Sequence, residues 1–475
     1  MRHLSIIFCF FALLQQTQAQ QWVTKQYSYD SIYNLSYGSA VNFNGSTETL
    51  QLDLYLPVCT DSSARRPLLL LAHGGAFLEG NKNDQSIHAL CREFAKRGYV
   101  TASIGYRLGM IGDESAWNCN YPNYNCVFAT DSAEWYRAYY RAVQDGKGAL
   151  RYLINRHAQY RIDTANVFVG GESAGAFLAL GLALLDTLPE RPAQTYAIND
   201  ANKPSSNTAN CTYNAGEFFA NSIPRPDLGD LEGNIEPTQV KYTIKGVANI
   251  YGAMLSNLLR LIPQGKPKPA IYSFHQPCDI IVPIDSNQVM WGLSWCFTNG
   301  YNCYGIGNTP KIYGSRVIRN WNTSGNYGYN IRTEFTAINF PYSFVFGQGS
   351  CLDQVNTPCH AYDNRALREL QVAQFFAPLI STPPTCTTSS VEVPENAAGL
   401  HIFPNPFSGA ISVYHETGLY GQIEVSDLQG RRIYSVQSIN NQLVEIDLTT
   451  QSAGVYVLTY TTENGKRICR KLVKQ

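Results

Sequence analysis

Five residues constrain this chain more than any others. Gly171-Glu172-Ser173-Ala174-Gly175 stands directly behind the apolar run Asn166-Val167-Phe168-Val169-Gly170 and ahead of a small-residue segment, Ala176 to Leu185. In order these read as a strand, a tight turn carrying a serine, and a helix, a geometry that lifts the serine hydroxyl above the end of a sheet strand. The pentapeptide alone is weak, since G-x-S-x-G arises by chance in about one chain of this composition in five. The surrounding pattern has to carry the reading.

That pattern is strand–helix alternation. Leu50, Leu52, Leu54 and Leu56 alternate as in a half-buried strand, Leu68 to Ala72 is a continuous apolar run ending in His73-Gly74-Gly75, and Tyr99 to Gly105 is another strand. A helical stretch from Asp131 to His157 leads to the strand before Ser173, and further strands are expected at Gly246–Tyr251 and Ala270–Phe274. Such alternation predicts an α/β fold, a mostly parallel sheet with helices on both faces, over residues 20–380. Residues 286–349, rich in Asn, Tyr and Gly, read as a cap inserted over the site or as a surface excursion. Residues 381–399 read as a linker, and 400–475, with short period-two strands and turn signals, as a small all-β sandwich.

At the N-terminus, Arg2 and His3 precede the apolar stretch Leu4–Leu14 and the small-residue site Thr17-Gln18-Ala19. Residues 1–19 are expected to be a signal peptide; the apolar run is too short for a membrane anchor. Thirteen cysteines less Cys9 leave an even number for an oxidising compartment, with Cys119–Cys126, Cys296–Cys303 and Cys351–Cys359 as plausible loop pairs. The sequence has no C-x-x-C pair, so no zinc site is expected. Lys+Arg and Asp+Glu both number 36, leaving no basic field for nucleic acid.

A serine hydroxyl is a poor nucleophile unless a histidine takes its proton and an acid orients that histidine. On this kind of sheet the chain order is Ser, acid, His. Downstream of Ser173 stand His275, His360, His401 and His415, and the last two fall in the all-β segment. His360, in a loop before the helix Asn364–Phe376, is the candidate base, the alternative being a surface loop histidine. Asp279, behind the strand Ala270–Phe274, is the candidate acid, the alternative being a helix cap. Asp353 and Asp363 lie too near His360 to come from a separate strand end, and His275 reads as structural. Backbone N–H groups of Ala174, Gly75 and Ala76 are the expected oxyanion donors, worth about 3 kcal/mol each. No metal or organic cofactor is required.

Taken with Tyr106-Arg107-Leu108, Gln144-Asp145, Ala149-Leu150-Arg151-Tyr152 and Asp279-Ile280-Ile281-Val282-Pro283, the serine elbow and His73-Gly74-Gly75-Ala76-Phe77 resemble an α/β-hydrolase of the carboxylesterase and hormone-sensitive-lipase type. The resemblance covers roughly residues 45–380, weakly across 190–240 and 286–350. It implies Ser173 as nucleophile, structural roles for Glu172 and Asp145, and an ester substrate. Ala76 stands where the family often has a third glycine, but alanine keeps its N–H.

Residues 400–475 carry a second resemblance. Phe403-Pro404-Asn405-Pro406-Phe407, Asp427-Leu428-Gln429-Gly430-Arg431, Gly454-Val455-Tyr456 and Lys471-Leu472-Val473-Lys474 are similar to a type IX secretion C-terminal sorting domain. This implies the type IX machinery as a partner, export, and removal of the domain with Cys469, which would leave Cys386 unpaired. A carbohydrate-binding sandwich is the alternative. The expectation is a secreted serine esterase. An exported serine peptidase of the same fold and a non-catalytic hydrolase-like adhesin are the rivals. Trp291, Trp295 and Trp321 could stack on sugar rings or form cap core.

Overall fold

The computed structural model describes residues 22–58, 65–110, 132–198, 224–259, 268–279, 281–289, 309–336, 358–381, 400–403, 405–427, 430–463 and 467–474. The signal segment, Cys119, Cys126, Cys296, Cys303, Cys351, Cys386, Trp291, Trp295 and nearly all of the 381–399 linker lie outside the described residues. The chain divides into two compact units, 1–387 and 388–475.

The first unit is built on β1 (Tyr29–Val41), β2 (Thr47–Pro57), β3 (Arg66–Ala72), β4 (Val100–Ile104), β5 (Ile162–Glu172), β6 (Ile244–Ile250), β8 (Ala270–His275) and β11 (Ile331–Phe335), side by side in the order β1-β2-β4-β3-β5-β6-β8-β11. β7 (Ala253–Leu255), β9 (Ser286–Gln288) and β10 (Lys311–Gly314) form a separate antiparallel sheet. In the large sheet β1–β2 and β2–β4 are antiparallel and every other pair is parallel.

The central strands show why both faces must be covered. β3 is buried at every position, and successive side chains point to opposite faces. Leu68 and Leu70 join Val167 and Val169 of β5 in one core, and Leu69 and Leu71 join Phe168 in another. Helices α1 (Gln85–Lys96) and α5 (Arg365–Phe376) close the second core through Ile87, Phe94, Val372 and Phe376. Helices α2 (Ser132–Asn155) and α3 (Ala174–Leu184) close the first through Ala138, Leu150 and Leu178. Apolar runs sandwiched between two helical layers are the mark of a parallel sheet. The expected α/β architecture is therefore present.

Within 286–349, the described residues 309–336 include elements of the first unit itself. α4 (Ser315–Ser324) buries Ile318 and leads into β11, which lies parallel to β8 at the sheet edge with Ile331 opposite Ile271. Ile-Arg-Thr-Glu-Phe is mixed because an edge strand is only partly covered, so no apolar run announces it in the sequence. Trp321 stacks on Tyr327 at 4.1 Å between centroids and packs against the first core.

The second unit is five antiparallel strands, β12 (Leu400–Phe403), β13 (Ala410–Asp427), β14 (Arg432–Asp447), β15 (Gly454–Thr462) and β16 (Arg467–Lys474). β13 changes partner along its length, from β12 to β15, while β14 follows its other edge. Its alternate residues Ile411, Val413, Ile423 and Val425 join Ile446, Leu458 and Leu472 in one apolar core. Among the described residues no helix is long and apolar enough to cross a membrane.

Candidate active site

The C-terminal ends of the parallel strands bring the singled-out residues to one place, the usual site position on such sheets. β5 ends at Glu172, and Ser173 adopts φ 53° and ψ −122° before α3. This left-handed backbone is rare for a residue with a side chain. Glycine makes the turn possible: a Cβ on Gly175 would meet Ala72 O at 2.1 Å.

Ser173 Oγ lies 2.9 Å from His360 Nε2, and His360 Nδ1 lies 2.7 Å from Asp279 Oδ2. A carboxylate only accepts, so Nδ1 carries the proton and Nε2 is free to accept from the serine hydroxyl. Asp279 is held from both sides. Its Oδ1 accepts from the N–H groups of Ile281 and Val282, each at 2.9 Å. His275 Nε2 sits 3.3 Å from Oδ2 and 2.8 Å from Val282 O, and its Nδ1 2.9 Å from Ser315 Oγ. Burial pushes the Asp279 carboxyl up, but the charge of His360 and the hydrogen bonds of His275 and His360 outweigh it and hold the group below the ordinary carboxylate value. The acid is an anion at neutral pH.

β3 runs into the loop carrying the expected oxyanion donors. Gly75, Ala76 and Phe77 have φ of 110°, 56° and 62°, and a Cβ on Gly75 would meet Glu79 O at 2.0 Å. Gly75 O accepts from the N–H groups of Leu78 and Glu79, whereas no described residue accepts from the N–H of Gly75 or Ala76. Ala174, first in α3, lacks an intrahelical acceptor, as every helix N-terminus does. The loop is fixed from behind. Phe77 meets Trp135, Tyr139 and Phe177 edge-on, and Tyr106 lies flat on the His73 ring and donates to His73 O at 2.8 Å. The next residue, Arg107, grips Asp145 through its guanidinium and its own backbone N–H.

Beneath the histidine, Glu172 accepts from the hydroxyls of Ser86, Tyr251 and Tyr362, and the Tyr251 ring lies 4.8 Å from that of His360. Burial pushes Glu172 up, and the three hydroxyls offset this only in part.

Cys359 is bonded to Cys278, which corrects the expected Cys351–Cys359 pair. Short spacing was a poor guide because the fold brings together loops far apart in sequence. The signal was present nonetheless, since Cys278 directly precedes Asp279 and Cys359 directly precedes His360. Tyr251 carried no such signal; only the fold places its ring against His360.

Residues 52–118 and 128–254 match the family described as BD-FAE, and residues 401–475 match the secretion system C-terminal sorting domain. Over 143 residues the chain is 28% identical to a probable isoprenylcysteine alpha-carbonyl methylesterase of Oryza sativa subsp. japonica, covering 30% of this chain and 26% of that protein. Over 130 residues it is 28% identical to a neuroligin-like protein of Caenorhabditis elegans, covering 27% and 15%. A solved structure of esterase B from Lactobacillus rhamnosis aligns over 79% of this chain and 94% of that one, at 14% identity and a TM-score of 0.36. The chain spans about a quarter or less of the length of these two curated relatives. The first of these matches is to an esterase-like α/β-hydrolase domain, and the match of residues 401–475 to a secretion sorting domain indicates export to the cell surface or the extracellular space.

Proposed function

We propose that the chain is an exported serine carboxylic-ester hydrolase working through an acyl-enzyme. The observation that carries this reading is the unbroken line of contacts from Ser173 Oγ through His360 to Asp279. The Gly75–Ala76 loop supports it by passing beside the serine: a Cβ on Gly74 would lie 3.2 Å from Ser173 Cβ.

In this mechanism Ser173 Oγ adds to the ester carbonyl carbon as its proton passes to His360 Nε2. The Asp279 carboxylate stabilises the imidazolium through Nδ1–H. The carbonyl oxygen becomes an oxyanion held by the N–H groups of Gly75, Ala76 and Ala174, each contributing about 3 kcal/mol. The oxyanion collapses, the alkoxide leaves with the proton from Nε2, and Ser173 remains acylated. Water, deprotonated by His360, then releases the acid and restores the serine. Acetylated or feruloylated polysaccharide, short acyl esters and polyesters all suit an exported enzyme. The methylesterase relative favours an ester over an amide.

The test is hydrolysis of p-nitrophenyl acetate, butyrate, octanoate and palmitate, beside peptide amides, by wild type and Ser173→Ala. Wild type should cleave short esters, and the variant should fall by about 10⁴-fold or more in kcat. Preferential cleavage of amides would make the protein a peptidase. Absence of any turnover would favour the non-catalytic adhesin reading.

A further inference from the structure

Asp279 and His360 sit in loops from distant parts of the chain, and the hydrogen bond between them is flanked by a covalent one. Cys278, one residue before the acid, is bonded to Cys359, one residue before the base, across 81 residues of sequence, with Cα atoms 5.4 Å apart. Both cysteines are buried.

We propose that the Cys278–Cys359 bond is a positioning element for ester hydrolysis, holding the acid and base loops in register so that the competent form of the chain is the oxidised one. The inference rests on the Ser173–His360–Asp279 reading above. Each partner has its own support: Asp279 from the N–H groups of Ile281 and Val282, and the His360 ring from Tyr251, which packs against it at a tilt. Between the two loops these supports leave the Asp279–His360 hydrogen bond as the direct tie. His360 lies in a single short turn, Pro358–His360, ahead of α5, and such a turn has little stiffness of its own. A misplacement of about 1 Å at a catalytic group costs about 100-fold in rate. The bond therefore restrains a coordinate to which the rate is sensitive.

Export gives the arrangement a consequence. Disulfides persist outside the cell and not in the cytosol. Before export Cys278 and Cys359 are thiols and the two loops are tied only by non-covalent contacts. The bond forms by thiol–disulfide exchange with an oxidant disulfide, which is reduced to two thiols as the protein loses two electrons and two protons.

The full-length protein is tested in two ways. The first is the double variant Cys278→Ala/Cys359→Ala. The second is wild type reduced by a water-soluble phosphine, which takes oxygen from water to become its oxide as the bond yields two thiols. The reduced protein is then reoxidised with oxidised glutathione, which leaves as two reduced glutathiones. kcat and KM for p-nitrophenyl butyrate and the rate of fluorophosphonate labelling are read where circular dichroism shows the fold intact. The expected result is a fall of about 10- to 100-fold in kcat and labelling rate in both forms. KM should change little, and activity should be restored on reoxidation of wild type but not of the double variant. A purely structural bond would lower the melting temperature and leave kcat of the folded protein unchanged, and that result overturns the proposal. Should the double variant not fold, reduced wild type decides alone. Full activity with Cys278 and Cys359 both mapped as alkylated thiols overturns the proposal as well. Oxidised wild type that neither cleaves esters nor is labelled overturns the parent reading, and this proposal with it.

Discussion

Replacing Asp279 by asparagine keeps the shape of the side chain and removes its charge, and its surroundings then allow no good orientation. Oδ1 receives two backbone N–H groups at 2.9 Å, while Oδ2 faces His360 Nδ1 at 2.7 Å and His275 Nε2 at 3.3 Å. If the amide oxygen stays on the backbone donors, the NH₂ faces His360. Nδ1 must then accept, the ring proton moves to Nε2, and the base facing Ser173 is lost. If the amide turns over, the N–H groups of Ile281 and Val282 lose their acceptor inside the protein. Two unpaired donors, that of Val282 buried and that of Ile281 half-buried, cost about 2–6 kcal/mol together. At about 1.36 kcal/mol per factor of ten, the competent orientation is then populated at about 3 × 10⁻² to 4 × 10⁻⁵. Loss of the carboxylate opposite the imidazolium adds to this, so kcat should fall by about 10³- to 10⁴-fold. The assay is kcat for p-nitrophenyl butyrate beside the labelling rate, with circular dichroism confirming the fold. A kcat within about tenfold of wild type would refute the reasoning, because either the amide orientation or the role of Asp279 would be wrong.

Three further outcomes follow from the same geometry. Gly75→Ala should lower kcat by about 10²-fold or more, since φ 110° and a Cβ 2.0 Å from Glu79 O force the oxyanion loop to move; a fully active variant would remove Gly75 from the hole. Arg107→Met strands the buried Asp145 carboxylate and should destabilise the first unit by about 3–5 kcal/mol in urea unfolding, whereas a loss below about 1 kcal/mol would mean the pair is dispensable. Glu172, raised by burial, stays protonated in the folded state above the ordinary glutamate value, so the native state holds more protons there and wild-type stability should fall as pH rises through that window. In Glu172→Gln that fall should vanish, and parallel stability–pH curves for the two proteins would contradict it.

The sequence carried the architecture where apolar runs are continuous. Leu68–Ala72 and Val167–Val169 announce central strands because both of their faces are buried. It failed at the edges. β11 reads as Ile-Arg-Thr-Glu-Phe, and its membership of the sheet depends on β8 beside it, which no local pattern encodes. The same limit holds at the site. The serine elbow and the His73–Phe77 loop are local in sequence and could be read directly. The Cys278–Cys359 bond and the Tyr251 ring on His360 exist only because distant loops meet. His275 reads as structural, and its ring supports the acid loop, 3.3 Å from Asp279 Oδ2 and 2.8 Å from Val282 O.

The central claim is that Ser173 is a nucleophile activated by His360. It is tested most directly by incubating the full-length protein with a fluorophosphonate and locating the adduct by peptide mass spectrometry. The account predicts one phosphonyl group, on Ser173, with no labelling of Ser173→Ala and ester hydrolysis lost in step with labelling. An adduct on another residue, or ester hydrolysis that survives complete labelling of Ser173, would contradict it.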